Sequence, residues 1–270
     1  MVLSGGGNII GFIGAGKAGC SLAYYFRSKG IGVSGFYSRH APEEDFDFFD
    51  SAHGVILKSD IIFMTVTDTA IEEVWNGLDK TALENKIVCH CSGSLTSDIF
   101  VGADKDMVCS VHPMLAFNSR RVPLERISRA FFTLEGGKTA VKEISRILDK
   151  CENKYRTIDA ANKVKYHAAA CFASNFAVAV SAEAFSLMEE CGFGADEARE
   201  ALSPLIMGNA CNICKNGIKG ALTGPVSRGD AITVKKHLSV LSDRRKEIYK
   251  LLSMILARES GHDELGEDLE

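Results

Sequence analysis

Four short stretches of this 270-residue chain combine residue types and spacings that can do chemistry. Gly14-Ala15-Gly16-Lys17-Ala18-Gly19 is a G-x-G-x-x-G string. Glycines so placed permit a tight turn, close approach of backbone to a pyrophosphate, and close packing of a helix on a strand. His112, in VHPM, is suited to hydrogen-bond a substrate carboxylate or carbonyl, or equally the backbone of its own loop. The stretch KVKYHAAACFASNF sets His167, Cys171 and Asn175 at i, i+4 and i+8, one broad face of a helix. A histidine with the ordinary pKa of ~6.5 can deliver a proton near neutrality, and Asn175 can fix a hydroxyl or carbonyl. Lys165 is a rival acid, about 80° from Asn175 at ~100° per residue. In TGPVSRGD, Arg228 is a candidate carboxylate clamp with Ser227 beside it, and Asp230 reads better as the N-cap of the next helix than as the arginine's partner.

These residues need a scaffold, and the first half of the chain supplies a repeating one. Apolar runs at 8–13, 32–37, 60–66, 86–91, 107–111, 130–134 and 154–158 read as strands, with helices at 17–29, 71–78 and 139–151. This alternation predicts an α/β domain, a Rossmann-type, largely parallel sheet with helices on both faces. From Asp159 the pattern turns helical. Residues 160–191 carry neither Gly nor Pro, so one helix of about 32 residues, near 48 Å, is expected. Helical patterns follow at 195–215 and 232–257, and the acidic tail GHDELGEDLE is expected to fray. The boundary is therefore set at 158: residues 1–158 form a nucleotide domain and residues 159–270 an all-α domain.

Position in this scaffold gives the glycine string its meaning. It follows a strand and opens a helix, the context of a dinucleotide site with the phosphates at the helix N-terminus. Gly14, Ala15, Gly16, Lys17 and Ala18 are the expected phosphate cradle. NAD sites carry an acid at the end of the second strand, but here that strand ends Ser38-Arg39-His40. Arg39 can pair bidentately with a 2′-phosphate and Ser38 can donate to it, so the expected cofactor is NADP(H). Two further strand ends, Thr65-Val66-Thr67-Asp68 and Ser92-Gly93-Ser94, should line the same crevice, with capping the favoured role for Asp68.

Composition bounds the rest. Hydrophobic residues make up 46% and charged residues 24%, enough for a core and a soluble surface. A net charge of −4 without a basic run excludes nucleic acid as an expected partner. No run approaches the ~20 uninterrupted apolar residues of a membrane span, and MVLSGGGNII lacks the features of a signal peptide. The nine scattered cysteines read as small buried hydrophobes of a cytoplasmic protein. Cys211-Asn-Ile-Cys214 has no second pair to complete a zinc site, so no metal is expected.

GFIGAGKAG, HCSGSL, SVHPMLAF, KYHAAACFASNF and TGPVSRGDAITVKKHL together resemble one group of Rossmann proteins, over nearly the whole chain. In that group an NADP-binding domain is joined to a helical C-terminal domain of formerly unknown function. The group is related to ketopantoate reductases, 6-phosphogluconate-type dehydrogenases and pyrroline-5-carboxylate reductases. Some members are an alternative ketopantoate reductase of pantothenate synthesis. The resemblance implies NADPH-dependent reduction of a small 2-oxo acid, with ketopantoate first. His167 or Lys165 would act as proton donor, Asn175 orient the carbonyl, and Arg228 with His112 hold the carboxylate. Ketopantoate reductases carry Lys-x3-Asn-x3-Asn on this helix. His167, Cys171 and Asn175 match it only at Asn175, which leaves the donor open between His167 and Lys165. Related families bury this helix in a dimer, and an alanine-rich helix of about 32 residues is long for its own domain to cover. A homodimer is therefore expected. The competing readings are a cyclic imine or deazaflavin-linked NADP reductase and a non-catalytic NADP(H)-sensing protein.

Overall fold

A computed structural model describes residues 8–42 and 46–267. The glycine-rich start of the chain and the last three residues of the acidic tail lie outside the described residues. The chain divides into two compact units, Met1–Ala177 and Val178–Glu270.

The first unit is built on seven strands: β1 (Ile10–Ile13), β2 (Val33–Tyr37), β3 (Ile61–Met64), β4 (Ile87–His90), β5 (Val108–Pro113), β6 (Phe132–Gly136) and β7 (Tyr155–Thr157). They form one sheet in the order β2-β1-β3-β4-β5-β6-β7. Pairing is parallel except between β5 and β6. Its helices are α1 (Lys17–Ser28), α2 (Ala52–Leu57), α3 (Asp68–Asn76), α4 (Leu124–Ser128), α5 (Lys138–Cys151) and α6 (Lys163–Ala173). The short helices α2 and α4 have no counterpart in the sequence pattern.

Strand periodicity builds two cores, one on each face. Phe12, Ile61, Phe63 and Cys89 face Leu22, Phe26 and Leu148 of α1 and α5. Ile13, Ile62, Met64 and Val88 face Val55, Ile71 and Trp75 of α2 and α3. A short strand buried on both faces reads as a continuous apolar run, which is why β3 is IIFM. Asn153 closes the first core. Its amide donates to the carbonyls of Ile127, Ser128 and Ala130 and accepts the Tyr25 hydroxyl.

The long helix expected over 160–191 is interrupted. A 3₁₀ turn precedes α6, and Ser174 (φ −119°, ψ −71°) separates α6 from α7 (Asn175–Glu190). No Gly or Pro marks the break. By length and composition alone Ala160–Glu190 is apolar enough to cross a membrane. Its first part, however, is hydrogen-bonded to the sheet through Lys163 and Tyr166.

The second unit holds most of α7 together with α8 (Ala195–Ala221), α9 (Gly224–Ser227), α10 (Ala231–Val240), α11 (Asp243–Ser260) and α12 (Asp263–Glu267). The helix expected over 232–257 is two helices, parted at Leu241-Ser242. Part of the tail expected to fray is helical, because Leu265 packs with Val226, Val234 and Ala257 in a small core. Arg245 ties α11 to α7 through Glu183, Ser186 and Glu190. Neither α7 nor α8 buries much: α7 has no buried residue and α8 only Ala198. Cys191, Cys211 and Cys214 are exposed there, against the expectation of burial, whereas Cys20, Cys89, Cys109 and Cys151 are buried.

Candidate active site

The glycine string forms the turn from β1 into α1. Gly14 has φ +112°, and a Cβ there would stand 2.8 Å from the Thr65 carbonyl carbon. The Thr65 hydroxyl donates to the Gly14 carbonyl at 2.6 Å. At Gly19 a Cβ would lie 2.4 Å from Thr65 Oγ1. The protein's own packing therefore requires both glycines. Gly16 differs, since a Cβ there would meet only the Thr65 carbonyl oxygen at 3.7 Å, an ordinary contact. Among the described residues only the Thr65 carbonyl oxygen comes that near, and α1 begins at Gly16 without a side-chain cap. Uncapped N–H groups and the positive end of the helix dipole suit an anionic phosphate.

A cavity of about 450 Å³ opens beside this turn. Gly14, Ala15, Gly16, Ser38, Arg39, Thr65, Val66 and Thr67 all contribute to its wall. Lys17 and Ala18 start α1 next to it. Ser38 is engaged in its own turn, donating to the His40 carbonyl at 2.9 Å, and Arg39 is exposed. The residues fit a dinucleotide: a glycine turn with room above it, an uncapped helix start, and a guanidinium where the second strand ends.

A second cluster forms where β4 and β5 end. His90 is fully buried, accepting the Ser92 N–H on Nδ1 and donating from Nε2 to the Thr96 carbonyl. Burial lowers its pKa to about 4, so it holds this loop as a neutral ring. Ser92 Oγ donates to Asp68 at 2.5 Å and accepts the N–H groups of Ser94 and Leu95. Asp68 thus anchors a neighbouring loop instead of capping α3. Gly93, at the tip, faces two imidazoles. A Cβ on it would lie 2.4 Å from His167 Cδ2 and 3.0 Å from both Cε1 and Nε2 of His112.

His112 is oriented from behind. Thr133 Oγ1 donates to the Tyr166 hydroxyl at 2.7 Å, and that hydroxyl lies 2.7 Å from His112 Nδ1. With its oxygen accepting from Thr133, Tyr166 has its O–H to give to Nδ1, and that donation would leave the proton of a neutral His112 on Nε2, the atom near Gly93. Burial, then the charge of Lys163, bring the His112 pKa down to about 4, so the neutral ring is the form present at neutral pH. Lys163 is itself fully buried, donating to the Ser92 carbonyl at 3.1 Å and Ser110 Oγ at 2.5 Å. Burial lowers its pKa too, opposed by Glu135 and Asp68.

His112, His167 and Gly93 therefore converge. Cys171 stands beside His167, with Sγ 4.0 Å from Nδ1. Lys165 is exposed, and Asn175 is exposed on the far side of the break at Ser174. Arg228 is exposed in the helical unit, and Asp230 caps α10 through the Thr233 N–H at 3.0 Å. Sequence reasoning missed Lys163, Tyr166 and Thr133. One signal was present: Lys163 is four residues before His167 and so shares its helical face, whereas Lys165 is two before it and does not.

Comparison with known proteins agrees with this anatomy. Residues 9–93 match the family described as NADP oxidoreductase coenzyme F420-dependent, and residues 130–255 match a domain of unknown function, DUF2520. No curated protein sequence matches the chain. Among solved structures, protein TM1727 from Thermotoga maritima is 26% identical, covering 94% of this chain and 99% of its own, with a TM-score of 0.73. Plasmodium falciparum pyrroline carboxylate reductase with NADP bound is 16% identical, covering 96% and 98%, with a TM-score of 0.64. An imine reductase from Pseudomonas sp. is 18% identical, covering 98% and 93%, with a TM-score of 0.58. The chain thus joins a nucleotide domain similar to that of NADP oxidoreductases to a region similar to DUF2520, and these similarities support NADP(H) as its cofactor.

The glycine geometry separates binding from folding. Gly19→Ala is expected to lower the Tm by several degrees, since overpacking costs about 1–3 kcal/mol. Gly16→Ala should leave the Tm within about 1 °C and weaken NADPH at least about tenfold by calorimetry, given a bulky group against the phosphates. Equal losses of Tm in the two variants would contradict this division.

Proposed function

We propose that this chain is an NADPH-dependent reductase of a small carbonyl compound, with a 2-oxo acid such as ketopantoate the first candidate. The observation that carries the reading is the convergence of His112 and His167 on Gly93, with His112 held neutral and aimed by Tyr166. The cradle Gly14–Ala18 would hold the pyrophosphate and Arg39 the 2′-phosphate, with Thr65–Thr67 along the same cavity and Ser92 and Gly93 toward the nicotinamide. NADPH, when bound, supplies the hydride.

The chain's own residues do the rest. His112 donates its Nε2–H to the carbonyl oxygen and polarises it, as a neutral imidazole can. Tyr166 and Thr133 keep that tautomer and ring angle. His167 gives a proton to the oxygen as the carbonyl becomes an alcohol, and the buried Lys163 ammonium adds positive potential behind both rings. Lys165 is the weaker donor candidate because it is exposed. Asn175 and Arg228 enter as orienting and carboxylate-binding groups on their chemistry alone.

A cyclic imine is the second reading, favoured by the resemblance of the fold to an imine reductase and a pyrroline carboxylate reductase. A protonated imine arrives with its proton and needs no donor on the acceptor atom, so a fixed Nε2–H suits a carbonyl better. The cysteines form no disulfide among the described residues, which suits a cytoplasmic setting.

A second copy of this chain is proposed to cover α7 and α8, which leave Val178, Leu205, Met207 and Ile213 exposed. Sedimentation equilibrium at micromolar concentration should give twice the mass of one chain, and a monomer would rule the dimer out.

The activity is read by NADPH oxidation over a panel of 2-oxo acids and cyclic imines. Turnover of a 2-oxo acid is expected, with kcat/KM falling about 10²–10⁴-fold in His112→Phe and His167→Ala and about threefold or less in Lys165→Ala. Turnover of imines alone would replace this reading with the second.

A further inference from the structure

The segment between β5 and α4 brings one more cation to the nucleotide pocket. It is fastened along α1 on both sides of residue 120. The Ser21 hydroxyl donates to the Ser119 carbonyl at 3.3 Å and accepts the Val122 N–H at 3.1 Å. Arg121 donates from Nη2 to the Tyr24 hydroxyl at 2.7 Å, its guanidinium 4.4 Å from the centre of the Tyr24 ring. With Ser119, Arg121 and Val122 held, residue 120 has little choice of place. Arg120 is half-buried in the wall of the same cavity as Gly14, Gly16, Ser38 and Arg39.

Its wall carries two guanidinium groups, Arg39 and Arg120, and one carboxylate, Glu73. Gly16 leaves room beside an uncapped helix start, and Arg39 brings positive charge. A second guanidinium, with five N–H donors in a planar fork, is matched to phosphate oxygens and poorly to a neutral ligand. We propose that Arg120 is a second phosphate-binding arginine of this pocket, working with Arg39, and that the segment carrying it is a strap laid over the bound dinucleotide. The inference rests on the pocket being the NADP(H) site. Two groups share the chemistry: the 2′-phosphate and the pyrophosphate.

Calorimetric titration of the full chain with NADPH and with NADH tests the assignment and separates these two. Arg120→Ala is expected to raise the NADPH Kd about ten- to a hundredfold, the loss typical of a charge-assisted hydrogen bond. Arg120→Gln, which keeps the stem and polarity but not the charge, should show the same loss at an unchanged Tm. An NADH Kd unaffected by the substitution assigns the 2′-phosphate, and an equal loss for NADH assigns the pyrophosphate. Wild-type binding of NADPH with both variants within twofold of it overturns the role of Arg120 alone. Failure of the wild type to bind either dinucleotide overturns the pocket reading and this inference with it.

Discussion

The ammonium group of Lys163 is the contact on which the candidate site depends. A buried ammonium is costly unless it is hydrogen-bonded, and this one meets the Ser92 carbonyl and the Ser110 hydroxyl at the ends of β4 and β5. Satisfying it fixes the start of α6 against the sheet. One turn later the same helix presents Tyr166 and His167, which therefore reach His112 and Gly93. Burial first, and this charge second, disfavour protonation of His112, so the cation that positions the helix also helps to keep the neighbouring imidazole neutral.

The two parts of the site are held by different means. Around the nucleotide turn, shape dominates: Gly14 and Gly19 are pressed against Thr65, while a Cβ on Gly16 would make only an ordinary contact with it. Around Gly93, polar bonds dominate. His90, Ser92, Asp68, Thr133 and Tyr166 hydrogen-bond to one another, to His112 or to the loop backbone. The buried members, His90, Ser92 and Thr133, hold the network in place, because each left without its partner would be a buried polar group in a low dielectric. Rigidity there is useful, since a donor tilted away from a carbonyl oxygen polarises it poorly.

Much of this was legible in the residues, and what was not has physical reasons. The strand-and-helix alternation shows in buried runs such as IIFM, because a strand covered on both faces cannot carry polar residues. The glycine string is legible because turn, approach and packing each exclude a Cβ. The antiparallel turn of β6 against β5 leaves no mark, since a buried strand looks the same in either direction. The break at Ser174 lacks Gly or Pro, so a single long helix was the natural reading, and Asn175 was set on a face it does not share. Lys163 and Lys165 look alike in sequence as to burial, because lysine is expected at the surface. Only the tertiary fit of α6 on β4 and β5 shows which lysine is buried. The apolar exposure of α7 shows in sequence only as an alanine-rich stretch long for its own domain to cover.

The central claim is that NADPH brings its reactive end to Gly93, between His112 and His167. Long-range ¹H–¹⁵N spectra of histidine-labelled protein test it most directly. Free protein at neutral pH should show His112 as the neutral Nε2–H form, and one equivalent of NADPH should shift both His112 and His167, whereas adenosine 2′-monophosphate should shift neither. Imidazole signals that ignore NADPH while calorimetry records its binding would contradict the account.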